Sequence, residues 1–179
     1  VEKRIGDRPY YHPLALLAFI AARTKSITLG TSVLVLPFHH PVELAKFAAT
    51  LDRLAPGRLV LGVGAGAIAE EFSALGLPFA DRGKVTSESL AMMRKLFAPG
   101  RTSHHGDIWN FDDIIFSPKP CQPGGIALWV GGGANNAVYR RAALLSDGWH
   151  ATGMTRDEFQ AGTEAVARMA AEEGGRDPA

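Results

Sequence analysis

The sequence predicts an α/β fold on a parallel sheet, with a ligand site at the strand C-termini. Three observations carry that expectation. Leu59-Val-Leu-Gly-Val63 is a short, unbroken apolar run, the pattern of a strand buried on both faces. It runs out into Gly62, Gly64 and Gly66, which let a flat group approach the backbone closely. The same signature recurs at Leu128-Trp-Val-Gly-Gly-Gly-Ala134, again ahead of a helical pattern.

The other elements follow in order. Leu14, Leu17, Ala18 and Ala21 share a helical face, with Pro13 near the start. Residues 27–36 are rich in β-branched side chains and read as a strand interrupted by Gly30. Pro41 opens a helix whose apolar face is Leu44, Phe47, Ala48, Leu51 and Leu54, and Ala55-Pro-Gly57 stops it. After strand 59–63 come a short helix around Glu70–Leu75, a turn at 76–78, and a helix from about Asp81 to Phe97, with Asp81 as its N-cap. Residues 101–125 mix turn, polar and aromatic residues and read as a small β excursion. Strand 126–131, helix 136–146, strand 148–152 and a helix from about Arg156 to Ala171 complete the rhythm.

Four strands joined by crossover helices suit an open doubly wound sheet or part of a (β/α)8 barrel. A whole barrel takes roughly 250 residues, so the 179 residues here supply about half of one. The chain begins at Val1 and ends in polar Glu172–Ala179, and reads as a piece of a longer protein.

Composition narrows the function. With 46% hydrophobic residues and a net charge of +1, the chain has enough apolar content for a core and no basic surface for nucleic acid or membrane. No apolar window is long enough to span a bilayer, and no secretory signal is visible. The single Cys121 excludes an internal disulfide framework and fits a reducing, cytoplasmic setting. The His and Cys spacings contain no metal motif.

Specific motifs go further. Leu29-Gly-Thr-Ser-Val-Leu-Val35, His40-Pro41, Leu51-Asp-Arg-Leu54 and Gly57-Arg58-Leu-Val-Leu-Gly-Val-Gly64 come first, and Glu70-Glu-Phe72, Leu75-Gly76 and Asp81-Arg-Gly83 follow. Ser117-Pro-Lys-Pro120, Trp129-Val-Gly-Gly-Gly133 and Ser146-Asp-Gly-Trp149 complete the series. In this order the chain resembles the luciferase-like monooxygenase family, most closely its branch using coenzyme F420. The resemblance implies a (β/α)8 barrel, present here as a single partial domain over residues 1–179 holding about the third to sixth strands. It also implies coenzyme F420, or alternatively FMN, and hydride transfer to or from a small organic substrate. With FMN, oxygen activation and monooxygenation become possible. The full-length protein is expected to be a homo-oligomer.

By position, the cofactor is expected to contact Ser32, Val33, Val35, Ala65, Gly66 and Glu70, with its phosphate on Gly132, Gly133, Ala134 and Asn135. The resemblance places a non-proline cis peptide at Ser32–Val33. The plain readings stay open: an ordinary strand end at 31–33, tight strand–helix turns at the glycines, and a loop capped by Asn135 or Asn136. Gly64-Ala-Gly-Ala-Ile-Ala69 also fits the dinucleotide fingerprint, which needs an acid about 20 residues on. Glu88 stands there, inside a helical run.

Among the histidines, His40 reads as a helix-start residue, and His104 and His105 as facing water. His150, near a strand end where barrel active sites sit, is the candidate acid/base residue. Relatives can carry an acid where this chain has Ala67, and the resemblance implies that the family's usual catalytic histidine precedes this chain. Two alternatives therefore stand: a non-catalytic flavin-binding protein or degenerate partner subunit, and a Rossmann-type nicotinamide enzyme. Residues 1–179 alone are expected to associate through open sheet edges and to turn over no substrate.

Overall fold

A computed structural model of the chain describes residues 9–174, so the end of the polar tail read at 172–179 lies outside the described residues. Helix α1 (Pro13–Arg23) leads to strands β1 (Leu29–Gly30) and β2 (Leu34–Val35), a 3-10 turn (Leu36–Phe38) and helix α2 (Pro41–Leu54). Strand β3 (Leu59–Gly64), helix α3 (Ala69–Ala74), a 3-10 turn (Phe79–Asp81) and helix α4 (Arg82–Phe97) follow. A hairpin of β4 (Arg101–His105) and β5 (Asn110–Ile115) precedes β6 (Ala127–Gly132), α5 (Asn136–Leu145), β7 (Gly148–Ala151) and α6 (Arg156–Glu173).

The main sheet runs β1-β3-β6-β7 with every pair parallel, and β2 pairs β3 further along its length. Order in space follows order in sequence. An interleaved Rossmann sheet is thereby ruled out, and Glu88 ends no second strand, because it lies in α4.

The strand expected at 27–36 is two two-residue strands, separated where the Ser32–Val33 peptide is cis. The expected Asp81 cap is also absent: Asp81 ends the 3-10 turn with helical backbone angles and makes no side-chain capping bond. His40 does start α2, its Nδ1 accepting from the Val42 amide at 3.3 Å. Asn135 caps α5 through the Ala137 amide, and Thr155 and Glu158 form a reciprocal capping box on α6.

Register sorts the strand residues onto two faces. Leu61 pairs with Leu128 and Val63 with Val130, and all four are buried with Leu44, Ala48, Leu90 and Met93 from the helices. Burying each leucine contributes roughly 1.5–3 kcal/mol. Leu61, Val63 and Val130 face the helices, a parity that an unbroken apolar run hides. The inner face instead carries Gly30, Val60, Gly62, Trp129 and His150, with Val33 folded over it. Phe47 and Leu54, assigned to the buried face of α2, are exposed; the short residues Ala45, Ala48 and Ala49 fill that contact.

A brace ties the N-terminal ends of the strands to the helices. Asp52 is fully buried and accepts from the Cys121 amide and the Gln122 side-chain amide, both at 2.7 Å, while Gln122 also donates to Leu59 O at 3.0 Å. Burial pushes the Asp52 carboxyl up, but the Cys121 and Gln122 hydrogen bonds together outweigh it and hold the group below its ordinary value. Arg58 donates to the Ala21, Thr24 and Ile27 carbonyls and to the Thr24 hydroxyl. Arg53 and Lys46 bind the carbonyls of Lys119 and Ser117. The Leu51–Leu54, Gly57-Arg58 and Ser117–Pro120 motifs thus build the end of the sheet opposite the glycines.

The excursion is anchored by Glu88. Its carboxylate accepts from the Trp109 amide at 2.9 Å and the Ile108 amide at 3.1 Å, and Oε1 lies 3.2 Å from His104 Nε2. His104, expected to face water, is only 4% exposed because Glu88 and Phe111 enclose it. His105 is exposed, pairing with Asp112.

Candidate active site

Every residue assigned to the site lies at or beside the C-terminal ends of the strands, where parallel sheets hold their ligands. Two of them, 118 positions apart, meet: Ser32 Oγ is 2.7 Å from His150 Nε2. Trp129 Cα pairs with Gly148, and its indole lies where a Gly148 Cβ would stand, 3.0 Å away. Below the pair is a hollow of about 380 Å³ lined by Gly30, Val60, Gly62, Trp129 and His150. Small side chains floor it, and the half-exposed Trp129 walls one side.

The glycines have two separate jobs. Gly62, Gly64 and Gly131 receive the 31–33 segment: a Cβ on Gly62 would stand 2.0 Å from Thr31 O, and one on Gly131 2.6 Å from Val33 Cγ1. Thr31 fixes the segment from its own side, its hydroxyl donating to Gly62 O at 2.6 Å. Gly66 turns the chain at φ +81° beneath Val35 and Phe72, bringing Val35 and Gly66 into contact. Phe72, the aromatic after the two acids, is buried edge-on against Phe38 and Phe79. Glu70 is exposed in the first turn of α3, and Ala65 is half-buried just past β3.

The loop after Gly132, residues Gly133–Asn135, is different, because it is open, whereas Gly132 itself ends β6 close against Val138. A Cβ on Gly133 would meet only Thr152 O, at 3.4 Å, and Ala134 and Asn135 are exposed. Asn135 satisfies one amide of the α5 first turn, and the remaining first-turn amides have no intrahelical acceptor. That is a cradle for a phosphate. The residues present therefore fit a phosphate-bearing tricyclic cofactor: the loop for its phosphate, the Ser32–Val33 segment and the Ser32–His150 pair for its ring. Among the described residues no cluster of His, Cys, Asp and Glu is arranged to hold a metal, and no helix is long and apolar enough to cross a membrane.

The Ser32–His150 contact, Trp129 and the Glu88–His104 anchor were not read from the sequence. Trp129 carried a signal, since it alternates with Leu128 and Val130 in the β6 run; the other two join residues whose proximity only the fold creates.

Comparison with known proteins gives the family. Residues 2–179 match the family described as luciferase-like monooxygenase. An uncharacterized protein of Mycobacterium tuberculosis, Rv0940c, is 34% identical over 174 residues, covering 97% of this chain and 59% of its own. The F420-dependent glucose-6-phosphate dehydrogenase of Intrasporangium calvum is 33% identical over 155 residues, covering 83% of this chain and 45% of its own. The crystal structure of monooxygenase RslO1 from Streptomyces bottropensis superposes with a TM-score of 0.82 at 24% identity, over 93% of this chain and 54% of that one. The chain spans about half the length of the relatives it matches.

Proposed function

The chain belongs to the luciferase-like monooxygenase family, and from that premise we propose that its protein is a coenzyme F420-dependent oxidoreductase acting on a small organic substrate. The family's members include F420-dependent enzymes and flavin monooxygenases. The observation that carries the reading is the Ser32–His150 pair, poised at the strand ends on the same edge of the sheet as the glycine loop. When bound, the cofactor supplies hydride-transfer chemistry.

The chain's own residues supply position and a proton. The Gly132–Asn135 loop and the α5 first turn hold the phosphate. The Thr31–Val33 segment, seated on three glycines and tied by Thr31 to Gly62, presents a fixed surface for the ring. His150 takes or gives the proton that accompanies interconversion of a carbonyl and an alcohol. Ser32 orients the imidazole through Nε2, donating to it when Nε2 is bare and accepting from it when Nε2 carries the proton.

Fluorescence titration of the full-length protein with coenzyme F420 and with FMN tests this. Micromolar F420 binding that survives His150→Ala, together with loss of turnover in that variant, is the expected result. FMN binding alone moves the assignment to the flavin monooxygenases. Cofactor binding without turnover of any alcohol or carbonyl compound supports the non-catalytic alternative.

A further inference from the structure

The Ser146-Asp-Gly-Trp149 motif ends on an aromatic side chain outside the candidate site. Trp149 lies on β7, next to His150. Its Cα pairs with Val130, which is buried with the helices, whereas His150 lines the inner hollow. Successive strand residues point to opposite faces, so the Trp149 indole lies on the helix-facing side. There it is clasped. The Phe159 ring stacks on it with centroids 5.7 Å apart and planes 13° from parallel, and the Tyr139 ring meets it edge-on at 5.1 Å. Gly162 of α6 leaves the room this needs: a Cβ there would stand 2.4 Å from the indole and 2.9 Å from the Tyr139 hydroxyl. A glycine inside a helix weakens it, and here it makes the seat.

The clasp holds one N–H in place. Trp149 Nε1 donates to Gly132 O at 3.1 Å. Gly132 is the last residue of β6, and the peptide bond that leaves it opens the Gly133–Asn135 loop. Carbonyls alternate in direction along a strand. Gly131 O is on the β3 side, 3.8 Å from where a Gly64 Cβ would be, and Gly132 O is on the β7 side, against the indole. The cis bonds among the described residues are Ser32–Val33 and Ser117–Pro118, so the Gly132–Gly133 bond is trans. Across a trans peptide the C=O and the following N–H point in opposite directions. Fixing the Gly132 carbonyl on Trp149 therefore aims the Gly133 amide the other way, toward β3 and the 31–33 segment seated on it.

The loop cannot hold that orientation unaided. A peptide between two glycines rotates readily, because neither residue has a Cβ to restrict it. Rotation would turn the carbonyl rather than the amide toward a bound anion and replace attraction with repulsion.

We propose that Trp149 is a positioning residue: its indole N–H, held by Phe159 and Tyr139, locks the Gly132–Gly133 peptide with the amide turned to the cofactor's phosphate. This rests on the reading of the glycine loop above and adds the side chain that sets the direction of the loop's first donor. Trp149 acts through that peptide, from the face of the sheet opposite His150.

The test is fluorescence titration of the full-length protein with two pairs of ligands: FMN and riboflavin, and coenzyme F420 and its deazaflavin chromophore lacking the phosphate. The members of each pair share a ring and a ribityl chain, and one of them carries the phosphate. Trp149→Phe keeps an aromatic ring in the clasp and removes the N–H. It is expected to weaken binding of the phosphate-bearing member about fivefold, the worth of one neutral hydrogen bond, with the phosphate-free member and the melting temperature near wild type. The wild-type protein gives a second reading. Trp109→Phe and Trp129→Phe assign the indole N–H signals of the three tryptophans in the NMR spectrum, and that of Trp149 is expected to shift with the phosphate-bearing ligand and not with its partner. Equal weakening of both members in Trp149→Phe, or weakening of neither, overturns the positioning role and leaves the cofactor reading standing. Where Trp149→Phe does not fold, the Trp149 signal decides, and an unmoved signal overturns the role. If the wild type binds neither phosphate-bearing ligand, or binds both members of a pair alike, the reading of the loop itself fails and takes the role of Trp149 with it.

Discussion

Ser32 Oγ and His150 Nε2 stand 2.7 Å apart, joining the segment between β1 and β2 to β7 at the C-terminal edge of the sheet. A general acid or base typically contributes ~10²–10⁴-fold to a rate. His150→Ala is expected to lower kcat within that range while leaving cofactor affinity near wild type. Ser32→Ala removes one neutral hydrogen bond of about 1 kcal/mol, so its effect is on the order of fivefold. Steady-state kinetics on the full-length enzyme check both, and equal losses from the two variants would remove His150 from the proton-transfer role.

The open glycine loop makes a cleaner cofactor probe than the strand glycines. Gly133→Glu has room for its side chain, so the melting temperature is expected to hold. The new carboxylate faces the phosphate, and cofactor affinity is expected to fall by more than about tenfold, or ~1.4 kcal/mol. Unchanged affinity in the folded variant argues against phosphate on this loop.

Gly62→Ala and Gly131→Ala are expected to behave in the opposite way. Each Cβ meets the 31–33 segment well inside contact distance, so both variants lose stability by about 1–3 kcal/mol through overpacking. Chemical denaturation reads this directly. A Gly62 variant as stable as wild type would show that the segment does not sit where it is described.

Acid is expected to loosen the brace and the hairpin. Burial raises the Asp52 and Glu88 carboxyls, but hydrogen bonds outweigh it and hold both below their ordinary values. For Asp52 these come from Cys121 and Gln122; for Glu88, from Trp109, His104 and Ile108. A carboxyl held low in the folded state contributes its stability fully above its unfolded pKa, near pH 4, and loses it as pH falls through the folded value. Thermal melts from neutral pH down to pH 3 are expected to show the decline. Glu88→Gln, which keeps an acceptor but removes the charge, is expected to lower stability at neutral pH and flatten the acid limb.

The strand and helix rhythm was legible because apolar periodicity is a local property. Pro41, Asn135 and the Thr155–Glu158 pair mark helix starts by residue type alone. What escaped depended on partners far along the chain. Polar composition around His104 suggested water, yet Glu88, sixteen positions earlier, receives it. Leu59–Val63 is apolar at nearly every position, so nothing in it distinguishes the helix-facing residues from the inner ones. The 31–33 segment looks like ordinary strand; only resemblance marked the Ser32–Val33 bond, and only the fold shows which glycines accept it.

Cys121 gives the brace a further property. Burial, and then the hydrogen-bonded Asp52 carboxylate, push its thiol above the ordinary range, opposed only in part by the Gly57 amide and Arg53. A thiol kept protonated is a poor nucleophile. Cys121 is therefore expected to react slowly while Asp52 is in place and quickly once the turn leaves the helix. Its alkylation rate is therefore a clock for opening at the closed end of the sheet, readable without any added label and independent of events at the cofactor edge.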